Sequence, residues 1–158
     1  MRTFTKWFLL NAVMLTGIYF AETKGAISLM VKNDVSYLTI VIMALYIFIS
    51  GMVGRLCYVA DKIGTGKIQD IDDKADINRR AEIGWFAAEH FFSLGLLGTV
   101  FGLCVATATS LNVGTEISDI VSGLKTGLNT AFYTTICGIV FSLPLQAQLM
   151  ILRYKLEE

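Results

Sequence analysis

The sequence predicts an all-α membrane protein with four transmembrane helices. The chain has 158 residues, of which 54% are apolar and 16% are charged, whereas soluble domains carry about 25% charged residues. Four stretches are mostly apolar over the roughly 20 residues that a helix needs to cross a bilayer. The only appreciable polar stretch, residues 61–82, separates the second stretch from the third. This composition argues against a soluble enzyme.

The four predicted spans cover residues 7–21, 36–54, 91–115 and 126–152. The first span can be extended back to Phe4, because the long side chain of Lys6 can place its charge at the membrane interface. The third span has an apolar lead-in that starts at Ile83 and contains Glu89 and His90. Its first turn is therefore less sharply defined than the other boundaries.

The distribution of basic residues predicts how the spans are oriented. Ten lysines and arginines lie before the first span, between the second and third, or after the fourth: Arg2, Lys6, Arg55, Lys62, Lys67, Lys74, Arg79, Arg80, Arg153 and Lys155. Three lie on the opposite side: Lys24, Lys32 and Lys125. Because basic loops stay in the cytoplasm, we expect both termini and the 60–82 loop to be cytoplasmic, with segments 22–34 and 112–125 outside.

The chain accordingly divides into three parts. Residues 1–60 hold the first two spans, residues 61–83 form a short cytoplasmic segment, and residues 84–158 hold the third and fourth spans. Apolar residues recur at helical spacings in the second half of the cytoplasmic segment. We therefore expect a helix there that runs directly into the third span.

Catalytic, metal and cofactor sites are not predicted. The three cysteines lie far apart in apolar runs, without a CxxC spacing, and we expect buried reduced thiols: Cys57, Cys104 and Cys137. No nucleophile–base pair or metal-ligand cluster is recognisable. Thirteen basic and thirteen acidic residues balance, so there is no basic patch of the kind that binds nucleic acid.

Small residues form a stripe along the third span. They recur every four residues, so that they fall on one face of a helix: Gly98, Gly102, Ala106 and Ser110. Gly95 and Thr99 form an adjacent small stripe. Stripes of this kind let another helix approach closely inside a membrane, which predicts a helix-packing face.

The fourth span carries hydroxyl and other small or polar residues on two neighbouring faces. One face holds Thr126, Thr130 and Thr134, and the other holds Thr135, Gly138, Ser142 and Gln146. Asn129 lies near the outer end and Pro144 interrupts the backbone hydrogen bonds near the inner end. Two interpretations stay open. The hydroxyls can be packing groups bonded to the carbonyl four residues earlier, or they can form a polar ion path with Thr99 and Thr135 near mid-membrane.

Glu89 and His90 are the only ionisable pair within a predicted span. Charge inside a membrane is costly, by about 3 kcal/mol or more at the centre, and often marks a functional site. At this position both residues lie near the cytoplasmic headgroups. A structural role at the interface and an inner-mouth proton or cation site are both compatible with the sequence.

Two motifs resemble a known family. Residues 95–103, GLLGTVFGL, resemble the GLLGTVxG signature of the MotA/TolQ/ExbB proton-channel family. Residues 127–139, GLNTAFYTTICGI, followed by Leu143 and Pro144, resemble the last helix of that family, ALxTTxxGLxxAIP. The resemblance covers roughly residues 84–150. The four-span topology is closer to the flagellar-stator branch than to the three-span TolQ and ExbB proteins, but the cytoplasmic domain is much reduced.

The resemblance implies an assembly and a mechanism. It implies a homopentamer in the lipid bilayer of the bacterial inner membrane, enclosing two copies of a single-span partner of the MotB/TolR/ExbD type whose aspartate carries the proton, or Na⁺. Thr99 and Thr135 match the family's pore-lining threonines, and Thr130 stands where the ExbB branch has a glutamate. Titration is therefore left to the partner. We expect Thr134 and Asn129 to belong to the same ion pathway.

The predicted function is that of the channel-forming subunit of a proton-driven, stator-type motor. Two alternatives remain open. One is a non-conducting membrane scaffold in which Gly98 and Gly102 serve only assembly, and the other is a small proton-coupled transporter that uses Glu89. A partner gene encoding one span with one aspartate would favour the channel.

Overall fold

The structure is a computed structural model that describes residues 2–63, 71–110 and 117–157. The helices in these ranges are α1 (Thr3–Thr23), α2 (Ala26–Asn33), α3 (Leu38–Ile63), α4 (Ile71–Ser110) and α5 (Ile117–Glu157). Helices α1, α3, α4 and α5 are long and apolar enough to cross a membrane. The prediction of an all-α protein with four such helices is therefore confirmed.

Helices α4 and α5 are longer than a bilayer requires. They contain 40 and 41 residues, which corresponds to about 60 Å of helix against about 30 Å of hydrocarbon. Because α4 begins at Ile71, the helix predicted in the second half of the polar segment is present and continues without a break into the third span. Ile77 and Ala81 of this extension are buried, so the extension is part of the packed bundle.

The helices extend past several predicted span boundaries: α3, for example, continues to Ile63, beyond the predicted end at residue 54. Helix α5 begins at Ile117, well before the predicted span start at residue 126. The segment at 22–34, predicted only as a connection, contains α2. Gly25 adopts a left-handed backbone with a φ of 69°, a conformation that ends α1 and that glycine tolerates. A helix of eight residues is too short for hydrophobic periodicity to identify.

The turn between α2 and α3 is held by Asp34. Its carboxylate accepts hydrogen bonds from the backbone N–H groups of Ser36 and Thr39, at 2.9 and 2.8 Å, and from the Ser36 hydroxyl at 2.6 Å. Burial raises the pKa of the Asp34 carboxyl, but these hydrogen bonds outweigh burial and lower the pKa below 3.8. The carboxylate thus satisfies backbone donors at the start of α3, as a helix cap does.

The core lies between α3, α4 and α5. Its fully buried side chains include Ile42 and Val53 of α3, Phe91 of α4, and Leu145 and Leu149 of α5. These residues recur at helical spacings, so each helix contributes one apolar face to the core.

Helix α1 is attached to this core mainly at its N-terminal end. The Trp7 ring covers Gly54, where an added Cβ would lie 2.5 Å from Cζ2 of the ring. The Asp61 carboxylate accepts hydrogen bonds from the backbone N–H groups of Thr3 and Phe4, each at 2.9 Å. Asp61 at the end of α3 therefore caps the free N–H groups of α1.

The cysteine prediction is correct in part. All three cysteines are free thiols, and Cys57 and Cys137 are buried. Cys104 is exposed, so the prediction that it is buried is wrong. Gly102 and Ala106, two residues to either side on α4, are buried, and a residue two positions away on a helix faces the opposite direction.

Candidate ion-pathway helices

The glycine stripe of the third span lies against α5 of the same chain. A Cβ on Gly102 would lie 2.5 Å from the Gly127 carbonyl oxygen and 2.7 Å from the Ala131 nitrogen. A Cβ on Gly98 would overlap the Thr134 side chain. The two helices therefore touch through backbone atoms, which only small residues allow.

The same close contact extends to the other end of the stripe. A Cβ on Gly138 would lie 2.7 Å from the Phe91 carbonyl oxygen, and one on Gly95 would lie 3.2 Å from the Gly138 Cα. Ala106 is buried and contacts Gly127. The helices α4 and α5 thus form a tight antiparallel hairpin over the whole length of the two sequence motifs.

Thr99 and Thr135 lie beside this contact line. Both are half-buried. The Thr135 hydroxyl donates to the Gly95 carbonyl at 3.3 Å and to the Ala131 carbonyl at 3.1 Å, and the Thr99 hydroxyl donates to the Leu96 carbonyl. Thr135 is therefore level with Gly95, and Thr99 is one helical turn, about 6 Å, further along α4.

Helix geometry places the two threonines on one side of the hairpin. Gly98 faces Thr134 across the contact. Thr99 follows Gly98 in the sequence, and Thr135 follows Thr134. In an antiparallel pair with approximate twofold symmetry, positions that follow facing residues fall on the same side. Phe141, whose ring packs on α3, is six residues after Thr135 and about 120° away around the helix. The threonine side of the hairpin therefore faces away from α3.

Thr130 and Thr134 are placed differently, because both are completely buried. The Thr130 hydroxyl donates to the Asn33 carbonyl at 3.0 Å and accepts from the Val35 N–H at 3.3 Å. The Thr134 hydroxyl donates to the carbonyl of Thr130 at 2.9 Å. Thr130 therefore ties α5 to the turn before α3, and Asn129 beside it is half-buried.

Glu89 and His90 are both exposed and point in different directions. Glu89 lies ten residues before Thr99, which is about 15 Å along the axis. The His90 ring stacks on Phe86 with 3.8 Å between centroids, and its Nδ1 lies 2.6 Å from the Phe86 carbonyl oxygen. His90 is therefore engaged within its own helix, about 100° around from Glu89.

Pro144 lies inside α5, and the helix continues past it to Glu157. The Ser142 hydroxyl, buried two residues earlier, donates to the Ala88 carbonyl of α4 at 2.7 Å. This bond between the helices holds α4 and α5 together close to the point where proline removes a backbone donor.

A buried polar cluster joins α1, α3 and α5, and sequence reasoning missed it. Gln148 is completely buried, and its Oε1 accepts from the Ser50 hydroxyl at 2.9 Å and from Trp7 Nε1 at 3.1 Å. Its Nε2 donates to the Tyr46 hydroxyl at 3.2 Å and faces Asn11 Oδ1 at 3.4 Å. The available signal was two amides inside apolar runs, but nothing in the sequence showed that they meet.

The fold defines a polytopic helical membrane protein built around a tight hairpin of small and hydroxyl residues. Residues 69–158 match the family model described as the MotA/TolQ/ExbB proton channel family. The chain therefore belongs to the MotA/TolQ/ExbB proton channel family, as the two motifs indicate. That family is a proton-channel type rather than an enzyme class. No curated protein and no solved structure matches the chain significantly.

Proposed function

We propose that the chain is the channel-forming subunit of a proton-driven, stator-type complex in the bacterial inner membrane. The observation that carries the proposal is the position of Thr99 and Thr135, which lie one helical turn apart on the same side of the α4–α5 hairpin and face away from α3. Family membership supports it, because the matched residues 69–158 include the whole hairpin.

In the proposed assembly, five copies turn the threonine side of their hairpins towards a central pore. Most of that side is apolar: Leu96, Leu103 and Phe132 are exposed. The pore encloses a single-span partner of the MotB/TolR/ExbD type that carries a transmembrane aspartate. Helices α1 and α3 then form an outer belt towards the lipid.

The chemistry follows from the cost of charge in an apolar wall. A charged carboxylate in the partner is held near the hydroxyls, whereas a protonated carboxyl can move past Leu96 and Phe132 without a large desolvation cost. Moving one proton inwards across the membrane releases about 2.3 kcal/mol of free energy per 100 mV of membrane potential, and this release biases each step inwards. Thr99 and Thr135 supply polar contacts near mid-membrane. Glu89, about 15 Å away along α4, lies towards the inner mouth, where the partner releases its proton to the cytoplasm.

Thr130 and Thr134 take a positioning role in this proposal. Their hydroxyls are bonded inside the protomer, and the neighbouring Asn129 of α5 is half-buried. The hydrogen bonds of Thr130 and Thr134 fix the rotation of α5 about its own axis. That rotation decides which way Thr135 points.

The test is proton flux through the complete complex in vesicles, with Thr99→Val and Thr135→Val combined. Valine keeps nearly the shape of threonine but has no hydroxyl. A hydrogen bond to a charged group is worth about 1.5–3 kcal/mol, so flux should fall tenfold or more while size and partner content stay unchanged. Thr107→Val is the matched control, because Thr107 is exposed on α4 and, within the part of the chain that the structure describes, bonds only to carbonyls of its own helix.

Full flux from the double variant in an intact complex would contradict the pore-lining role. A complex that carries no flux even with wild-type threonines would favour a scaffold. Loss of flux from Glu89→Gln in the chain without any partner would favour a transporter.

A further inference from the structure

A polar groove lies between α4 and α5 at the end of the hairpin that the basic residues predict to be cytoplasmic. Its volume is about 660 Å³. The two helices are still tightly packed beside it, because a Cβ on Gly84 would lie 2.7 Å from Cδ2 of Leu149. We call this space the inner-mouth groove, and its wall includes Lys74, Asn78, Glu82, Trp85, Arg153 and Glu157.

The inner-mouth groove is on the side of the hairpin that carries the two threonines. Arg153 follows Thr135 by 18 residues, which is five whole helical turns, so both side chains leave α5 in the same direction. Trp85 precedes Thr99 by 14 residues, which is within about 40° of four whole turns. The groove is therefore about 21–27 Å from the threonines along the helices. With the threonines near mid-membrane, it lies beyond the hydrocarbon, whose half-thickness is about 15 Å.

The charges along the groove are arranged unequally. Next to the membrane, Glu82 of the groove and Glu89 two turns above it are exposed, and neither has an ion pair or hydrogen bond among the described residues. Further out, Arg153 is already paired with Glu157 at 2.8 Å. Lys74 is about 12 Å beyond Glu82 along α4. The unpaired charge close to the membrane is therefore negative.

We propose that the inner-mouth groove binds the basic segment at the cytoplasmic end of the partner's membrane span, an inference that rests on the proposed function. Membrane proteins carry an excess of Lys and Arg within about 15–20 residues of the cytoplasmic end of a span. A span enclosed by the threonine side of the hairpins leaves the pore on that same side, next to Glu82 and Trp85. The Glu82 carboxylate binds a cation there, and the half-buried Trp85 ring adds a cation–π contact.

The dimensions of the groove match an extended segment. Trp85 and Lys74 are about 16 Å apart along α4, which is the length of about five extended residues. Between them, the exposed Asn78 offers an amide that can donate to and accept from a peptide backbone. A lipid acyl chain fits less well, because the wall is polar and lies beyond the hydrocarbon.

The contact is of the kind that can exchange between subunits. In the proposed assembly five equivalent grooves surround the inner mouth, and the segment can bind only one of them at a time. Exposed ion pairs are individually weak and are screened by salt. The groove therefore positions the partner without locking it to one subunit.

The experiment is photo-crosslinking in membrane vesicles from cells that contain the complete complex, with benzoyl-phenylalanine in place of either Phe132 or Trp85. Phe132 is exposed on the threonine side of α5, so it reports whether a partner occupies the pore. The partner is defined as the single-span protein that crosslinks from Phe132. We expect the same protein to crosslink from Trp85, through a peptide that contains Lys or Arg and lies within about 15–20 residues of its span.

Glu82→Lys tests whether charge carries the contact. Because attraction becomes repulsion, the crosslink from Trp85 should fall about three- to tenfold, while the crosslink from Phe132 should not change. Replacing the crosslinked Lys or Arg of the partner by Glu should restore it. The matched control is Asp76→Lys, which makes the same change of charge about 120° away around α4, at an exposed residue that pairs with Arg80 and does not line the groove.

The two crosslinking positions separate the failure of this inference from the failure of the proposed function. A partner that crosslinks from Phe132 but not from Trp85, where a second copy of this chain or nothing is captured, would overturn the inference alone. An equal loss from Glu82→Lys and Asp76→Lys would also overturn it, since the groove would then have no specific role. If no single-span protein crosslinks from Phe132, the proposed function itself is wrong.

Discussion

The two sides of the bundle are packed by different means. On one side, α4 and α5 meet through glycine and alanine, so that backbone atoms of the two helices are in contact. On the other side, α1 meets α3 and α5 through large side chains, with the Gln148 polar cluster near one end and an apolar cavity of about 410 Å³ towards the other. The α4–α5 contact cannot accept larger side chains, whereas the α1 side still contains an unfilled volume.

This difference indicates which part of the fold is under geometric constraint. A contact between backbones cannot adjust by changing rotamers, so its geometry is fixed by the residues at each position. A contact between long side chains can adjust, and its specificity depends on which polar groups find each other. The family match at residues 69–158 covers α4 and α5, which form the constrained side.

The largest expected effect comes from inserting a large side chain between α4 and α5. In Gly102→Leu, the new Cβ would lie 2.5 Å from the Gly127 carbonyl oxygen, which belongs to the backbone and cannot turn away. Overpacking of this kind costs about 1–3 kcal/mol or more, so the helices must separate. We expect a melting temperature in detergent lower by several degrees and loss of the proposed complex.

The control for this prediction is Gly51→Leu, which adds the same bulk where nothing lies within 4 Å. Its melting temperature should stay within about 2 °C of wild type, because a change in unfolding free energy below 0.5 kcal/mol shifts it little. Equal melting temperatures for Gly102→Leu and Gly51→Leu would show that α4 and α5 do not touch at this point.

The constrained side, where α4 contacts α5, was largely predictable from the sequence. Repeats of small residues every four positions are a local pattern, and Gly98 and Gly102 needed no tertiary information to be recognised as a packing face. The positions of Thr130 and Thr134 were not predictable. A threonine that lines a path and one that bonds a preceding carbonyl have the same spacing, and only tertiary structure reveals that Thr130 reaches Asn33.

The helices of the α1 side were predictable as transmembrane spans, but the polar cluster and the cavity between them were not. The apolar stretches predicted α1 and α3 as transmembrane helices. The hydrogen bond between Gln148 and Ser50 was not predictable, because the two residues are 98 positions apart in the chain. A single amide in a helix does not identify its partner. The cavity was likewise invisible, because an unfilled volume depends on how α1 leans against α3 and α5, not on any one residue.

A smaller effect should follow from removing the polar cluster with Gln148→Leu. This change removes the acceptor for Ser50 and the donor for Tyr46. Hydrogen bonds between membrane helices are worth about 0.6–1.7 kcal/mol, and we expect a loss of about 1–2 kcal/mol measured by denaturant titration in micelles. Gln146→Leu is the control, since Gln146 is half-buried and bonds only to Ser142 of its own helix among the described residues.

The two glutamine variants also sharpen the comparison between the two sides. Gln148→Leu should loosen α1 and increase proteolysis near its ends, while contacts between α4 and α5 remain. If Gln148→Leu were as stable as wild type, the cluster would contribute no net stability. Helix α1 would then be held by the large side chains around Trp7 and by the Asp61 carboxylate.

The smallest expected effect concerns Asp34, which joins both sides through the turn that Thr130 contacts. Hydrogen bonds lower the pKa of Asp34 below 3.8, so the folded protein favours the charged form, and the stabilisation is present above the unfolded pKa and lost as the pH falls through the folded value. Asp34→Asn replaces one of the two accepting oxygens by an amide nitrogen, so it should cost about 1 kcal/mol at pH 7, which is about 2–4 °C in melting temperature. The difference from wild type should begin to narrow below about pH 4, where the carboxyl of the unfolded chain takes up a proton, and should be smallest below the lowered pKa of the folded carboxyl. A difference that stays constant from pH 7 to pH 3 would mean that the shape of the side chain, and not its charge, holds the turn.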